Sequence, residues 1–353
     1  MVATLLTLVA ASRSSLLLPG RTLTASLDRP EGKRTYHIYV PQNISSARAP
    51  GLVVYFHGWQ DSCDDLGGGC GSATCGWPEQ AEARGSFLFA YPCGLGGLTV
   101  SGSWNAGTCC GPSGCARFLL LFSVIIYYQI ITEYFTNLML ILNEYDRGHL
   151  DGYRGGPDDL GFVNALIGDV ATLTKQSIDL TRVYAAGFSN GAMLSQVAAC
   201  GAFSGEAPLT PFRAVAGCAG IVEIEPGEGK GFDACDAAYA ARPANASGIA
   251  VLDIHGSEDP AVPFIGDPVL GFVGVEKNME RWSTRLGCSG DPVQTLNRGS
   301  GKYTNKLWKQ GTCATTSEVE LVTIKGLGHG CVNDGTTFSS SSYMLDFFQR
   351  HGL

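Results

Sequence analysis

Along this chain, short apolar runs alternate with longer stretches whose apolar positions recur every three or four residues. Leu52 to Phe56 and Phe87 to Tyr91 are continuous apolar runs, the pattern of strands buried on both faces. His57-Gly58 follows the first and Pro92 closes the second. Arg34 to Val40 alternates instead, with Tyr36, Ile38 and Val40 on one face and Pro41 at its end, which predicts another strand. Shorter strands are predicted at Arg182 to Ala186, Val215 to Gly217, Ile249 to Ile254 and Val319 to Ile324. Leu160 to Leu173 places Phe162, Val163, Leu166, Ile167, Val170 and Leu173 at helical spacing, and Asp158 and Asp159 stand where a helix dipole favours negative charge. Ala192 to Ala199, Val275 to Leu286 and Ser342 to Phe348 also read as helices. Strands alternating with helices predict an α/β domain with a mostly parallel central sheet flanked by helices.

The pattern divides the chain into a leader, 1–24, and a single domain, 25–353, with an apolar insertion at about 116–150. In the leader, Thr4 to Ala11 is a short apolar run, and Val9, Ala10 and Ala11 resemble a signal-peptide cleavage site. In the insertion, the 25 residues from Phe118 to Leu142 hold one charge, Glu133, and alanine is absent between Arg117 and His149. Such a run is long enough to cross a bilayer. A single span here, however, would place the Leu52 to Phe56 strand on one side and the strand at Arg182 to Ala186 on the other, and one sheet cannot fold across a membrane. No stable membrane span is therefore expected. The stretch reads either as a hydrophobic lid or as translated non-coding sequence, and the abrupt loss of alanine and glycine favours the second.

Composition narrows the class. Of the 353 residues 45% are hydrophobic and 16% charged, which excludes wholesale disorder. The net charge is −8 without any Lys/Arg cluster, so the basic footprint of a nucleic-acid binder is missing. Thirteen cysteines favour an oxidising compartment and several disulfides. The sequons Asn43-Ile44-Ser45 and Asn245-Ala246-Ser247 are compatible with an extracellular protein. Nothing in the sequence addresses the oligomeric state.

Gly187-Phe188-Ser189-Asn190-Gly191 matches Gly-x-Ser-x-Gly and stands between a predicted strand and a predicted helix, the setting of a nucleophile elbow. The turn is so sharp that flanking side chains would collide, hence glycines two residues either side. Ser189 then projects at a helix N-terminus, where developing negative charge is favoured. In the chain order serine, acid, histidine, only His255, His329 and His351 follow Ser189. His351 is next to the chain end and His255 precedes the candidate acid. His329, in Gly326-Leu327-Gly328-His329-Gly330 after a predicted strand, is the candidate base. The candidate acid is Asp259, in the loop after Ile249 to Ile254, with Glu258 as the neighbouring alternative. An oxyanion hole would take the backbone N–H of Asn190 and one from His57-Gly58-Trp59, placed at Trp59. His57 is assigned no proton transfer.

Taken together, His57-Gly58-Trp59-Gln60, Ser103-Trp104-Asn105-Ala106-Gly107 with Cys109-Cys110-Gly111, the elbow, His255-Gly256-Ser257-Glu258-Asp259 with Val262-Pro263, and Gly328-His329 resemble secreted esterases of the polyhydroxybutyrate depolymerase/feruloyl esterase group, which are α/β hydrolases related to carbohydrate esterase family one. The resemblance covers roughly Thr35 to Phe348 apart from the insertion. It implies the α/β-hydrolase fold and a cofactor-free serine hydrolase with Ser189, Asp259 and His329 as its triad. It also implies a disulfide between Cys288 and Cys313. Two departures bear on specificity: Trp59 stands where relatives often carry a small residue or cysteine, and Gly330-Cys331 follows the histidine where many have an apolar or tryptophan-containing stretch.

Trp104 and Asn105 are candidate substrate contacts, Trp104 by stacking on a sugar or phenolic ring, although an aromatic near a strand end more often belongs to the core. No metal is expected. Cys63, Cys70 and Cys75 lack a nearby histidine set, and disulfides are the plainer reading. The expected activity is hydrolysis of carboxylic esters, either feruloyl or acetyl esters of plant-wall polysaccharide or, as the alternative, short-chain polyesters of the hydroxybutyrate type. A non-catalytic secreted binding protein on a hydrolase scaffold and a serine peptidase are the readings from other classes.

Overall fold

The computed structural model describes residues 19–44, 48–63, 76–96, 102–106, 157–174, 178–200, 212–222, 230–241, 248–268, 272–298, 301–309, 313, 317–332 and 338–352. The apolar run of the leader, the insertion at 116–150, Cys70, Cys75, Cys109-Cys110-Gly111 and the sequon at Asn245 lie outside them.

In chain order the described elements are β1 (Arg21–Arg29), β2 (Gly32–Val40), β3 (Gly51–Phe56), α1 (Trp77–Arg84), β4 (Phe87–Pro92), α2 (Asp159–Leu173), β5 (Val183–Phe188), α3 (Asn190–Cys200), β6 (Ala214–Cys218), α4 (Lys230–Ala240), β7 (Ala250–Gly256), α5 (Val275–Arg285), β8 (Val293–Arg298), β9 (Tyr303–Trp308), β10 (Glu318–Ile324) and α6 (Ser340–Arg350). The strands form one sheet in the order β1-β2-β4-β3-β5-β6-β7-β10-β9-β8. From β4 to β10 neighbouring strands run parallel. Antiparallel pairs close both ends, β1 and β2 at one and β9 and β8 at the other.

Burial explains which strands are parallel. Every residue of β3, β4, β6 and β7 is buried, because helices cover both faces. On one face Phe162, Val163 and Leu166 of α2, Leu194 and Val197 of α3, and Met279 and Trp282 of α5 pack onto Leu52, Val54 and Val251. On the other, Trp77 of α1 and Leu345, Phe347 and Phe348 of α6 pack onto Val53, Tyr55, Phe89 and Leu252. The edge strand β1 begins at Arg21, inside the stretch set aside as a leader, and pairs with β2 from Arg21↔Val40 to Arg29↔Gly32.

The helix ends follow local chemistry. Asp158 caps α2, its carboxylate accepting the Gly161 N–H at 2.9 Å, and Ser339 caps α6 through the Ser342 N–H. Parallel strands deliver their C-terminal ends to one rim of the sheet, where the loops after β3, β5, β7 and β10 carry the residues of interest.

Candidate active site

β5 ends at Phe188 and α3 begins at Asn190, so Ser189 alone makes the turn. Its φ is +51°, a left-handed conformation costing a residue with a side chain roughly 1–2 kcal/mol. The glycines beside it permit the turn. A Cβ on Gly191 would lie 2.2 Å from the Phe56 carbonyl oxygen, and one on Gly187 2.4 Å from the Gly191 backbone. The turn is held by the Ser189 N–H donating to the Cys218 carbonyl at 2.9 Å.

The loops after β7 and β10 complete the arrangement. Ser189 Oγ is 2.9 Å from His329 Nε2, and His329 Nδ1 faces both Asp259 oxygens at 2.8 and 3.0 Å. The structure thus brings Ser189, His329 and Asp259 into one hydrogen-bonded chain, with the imidazole partly open to solvent and the carboxylate buried. Phe188 packs its ring against His329. Of the two neighbouring acids it is Asp259 that meets the histidine, while Glu258 is exposed.

Asp259 is held by its own loop. Its Oδ1 accepts the N–H groups of Ala261 and Val262 at 2.8 and 2.9 Å. Burial works against its ionisation, but hydrogen bonds from His255 and His329, the His329 charge and the Val262 N–H outweigh it and hold the carboxyl well below the usual range. A Cβ on Gly256 would lie 2.2 Å from the Leu327 carbonyl oxygen, so the end of β7 admits the histidine loop only because that position is glycine. A disulfide from Cys331, two residues past the histidine, to Cys218 at the end of β6 ties the loop down.

At the end of β3, His57 is buried between backbone groups. Its Nε2 accepts the Gly94 N–H at 2.9 Å and its Nδ1 lies 2.7 Å from the Gly58 carbonyl, a pairing that fixes a neutral tautomer. Burial pushes its pKa down, in keeping with that form. Trp59 is half-buried against the core. The Asn190 side chain holds the segment around Trp104: its Oδ1 accepts the Trp104 N–H at 2.8 Å and its Nδ2 donates to the Trp104 carbonyl at 3.1 Å.

Trp104 requires correction as a substrate contact that stacks on a ring. Trp104 is 0% exposed. Its indole N–H donates to the His57 carbonyl at 2.9 Å, and its ring packs on Phe56 and His57. No face is left for a ligand. Asn105 is half-buried, its backbone N–H donating to the Asp159 carboxylate (Oδ2) at 2.6 Å and its side-chain amide to the Pro157 carbonyl at 3.2 Å. Both residues position segment 102–106 between the β3 end and the elbow.

Two features escaped the sequence reading. One is the Cys218–Cys331 pairing, since connectivity leaves no mark in spacing; Cys63–Cys93 and Cys288–Cys313 are also bonded. The other is the pairing of His255, weighed in the sequence only as a base, with Asp253, both buried on the same face of β7. Two polar residues two apart in an otherwise apolar buried strand were the available signal. His37, Cys63 and Cys93 bring ligand-type atoms within 4.8 Å of one another, but both sulfurs are spent in the disulfide.

No family model matches this chain. Feruloyl esterase B of Piromyces equi is 29% identical to it over 183 residues, 49% of this chain and 29% of that protein. The chain thus spans less than a third of the length of the curated relative it matches. The solved acetyl xylan esterase from Aspergillus awamori superposes with a TM-score of 0.56, covering 94% of this chain and 99% of its own, at 17% identity. With the sheet order, the elbow and this likeness, the fold is that of the α/β hydrolases.

Proposed function

We propose that this chain is an extracellular serine esterase that hydrolyses carboxylic esters, with feruloyl or acetyl esters of plant-wall polysaccharide as its substrate class. The observation that carries the reading is the hydrogen-bonded line from Ser189 Oγ through His329 to a buried Asp259. The partial likeness to a feruloyl esterase and the acetyl xylan esterase scaffold support the choice of ester. Three disulfides among the described residues favour an oxidising location.

In this reading Ser189 Oγ adds to the ester carbonyl carbon while His329 Nε2 takes its proton. Asp259 holds the imidazole in the tautomer with Nε2 free to accept and stabilises the imidazolium formed. The backbone N–H groups of Asn190 and Trp59 receive the oxyanion. His329 returns the proton to the leaving alcohol, leaving an acyl group on Ser189. Water then adds to that acyl carbon with His329 again as base, and the acid departs as Ser189 regains its proton.

Initial rates on methyl ferulate, acetylated xylan and hydroxybutyrate oligomers test the substrate class. Turnover of the first or second with highest kcat/KM is expected. Preference for the oligomers would replace the wall-ester reading by a polyester one, and cleavage of amides over esters would point to a peptidase.

A further inference from the structure

His255 takes no part in the reaction described above, yet it is fully buried and touches the acid that does. Its Nδ1 lies 3.1 Å from Asp253 Oδ2. Its Nε2 lies 2.8 Å from the Val262 carbonyl oxygen and 3.4 Å from Asp259 Oδ2. Every partner of the ring nitrogens is an oxygen of a carboxyl or carbonyl group. A neutral imidazole carries one N–H and would leave its second nitrogen pointing lone pair to lone pair, unless Asp253 carried the proton. The Asp259 carboxylate beside Nε2 biases that proton toward the ring, because a cation between two anions is favoured over a neutral pair next to one.

We propose that His255 is a positioning residue for the triad: held as an imidazolium between Asp253 and Asp259, it keeps the Asp259 carboxylate ionised and turned toward His329 Nδ1. The proposal rests on the esterase reading for its consequence, not for its geometry. The bond to the Val262 carbonyl adds a second hold, since Val262 N–H itself binds Asp259 Oδ1, so the ring braces the loop from both sides.

The surroundings agree. The charged groups facing the ring among the described residues are Asp253 on β7 and Asp259 in the following loop, with His329 on the far side of Asp259. The flanking strands set Cys218 of β6 opposite Ile254 and Thr323 of β10 opposite His255, both uncharged. Phe264 covers the ring edge. Burial alone would push the imidazole toward its neutral form, but the Asp253 charge and the bonds to Asp253, Asp259 and Val262 raise its pKa instead.

Two measurements test this. The imidazole nitrogens of ¹⁵N-labelled Ser189→Ala protein, assigned through bonds, report His255 directly and need no activity. Both nitrogens protonated from mildly acid to mildly alkaline pH is the expected result; one lone-pair nitrogen there, with the proton on Asp253, overturns the proposal. In the active background, His255→Gln keeps a hydrogen-bond donor but removes the charge. His329 then loses a repelling neighbour, so the acid limb of the kcat/KM profile on a 4-nitrophenyl ester moves up by about one pH unit, and kcat falls more than KM changes. A lowered rate with the limb unmoved would mean His255 is merely structural. If His255→Gln does not fold, the nitrogen spectrum still decides. If Ser189→Ala retains turnover, the triad reading fails separately while the ring's protonation remains readable.

Discussion

Asp259 and Glu258 are adjacent and chemically alike, yet their surroundings give them different tasks. Asp259 is buried, bonded to two backbone amides and faces His329; Glu258 points to solvent. Asp259→Asn should lower kcat by about 10³- to 10⁴-fold through loss of the tautomer control, whereas Glu258→Gln should leave kcat near the wild-type value. Steady-state kinetics of the two variants check this, and the reverse order of damage would reassign the acid. The depressed Asp259 pKa also has a sign for stability. A carboxyl whose folded pKa lies below its unfolded value of roughly 4 stabilises fully above that value, and the contribution is lost as pH falls through the folded pKa. The urea midpoint of the wild type should therefore exceed that of Asp259→Asn at neutral pH, with the gap closing below about pH 4.

At the scale of elements, the histidine loop is held by covalent as well as packing forces. The Cys218–Cys331 bond joins the ends of β6 and the loop after β10, 113 residues apart in sequence. Replacing both cysteines by alanine should lower kcat with little change in KM, because the loop places the base rather than the substrate. An unchanged kcat in the double variant would show that packing against Gly256 suffices. This tie was invisible in the sequence, as were several elements. The continuous runs at β3 and β4 were legible because a strand buried on both faces favours apolar residues throughout, whereas Asp253 and His255 interrupt the equally buried β7. The edge strands β1 and β8 were not, since Thr22, Thr24, Ser26, Gln294 and Thr295 give no such run. Helix α1 carries only Trp77 and Ala81 as buried residues, too few for a helical period to stand out. The elbow was legible because its glycines are sterically required. Trp104 misled because sequence shows an aromatic but not whether its ring faces a ligand or the core.

For the molecule as a whole, one sheet brings together residues from Arg21 in β1 to Ile324 in β10, and the candidate site draws on loops from four of its strands. The apolar stretch at 116–150 lies outside the described residues. A variant joining Cys115 directly to Asp151 should express better and keep its turnover of small esters; loss of that turnover with the circular dichroism of the fold preserved would make the stretch a lid. Among the described residues no helix is long and apolar enough to cross a membrane. The central claim is that Ser189, activated by His329 and Asp259, attacks the ester carbonyl, and Ser189→Ala tests it most directly. With 4-nitrophenyl acetate, the account predicts that this variant folds as the wild type does and loses about 10⁴-fold or more in kcat; retention of most of the wild-type kcat would contradict it.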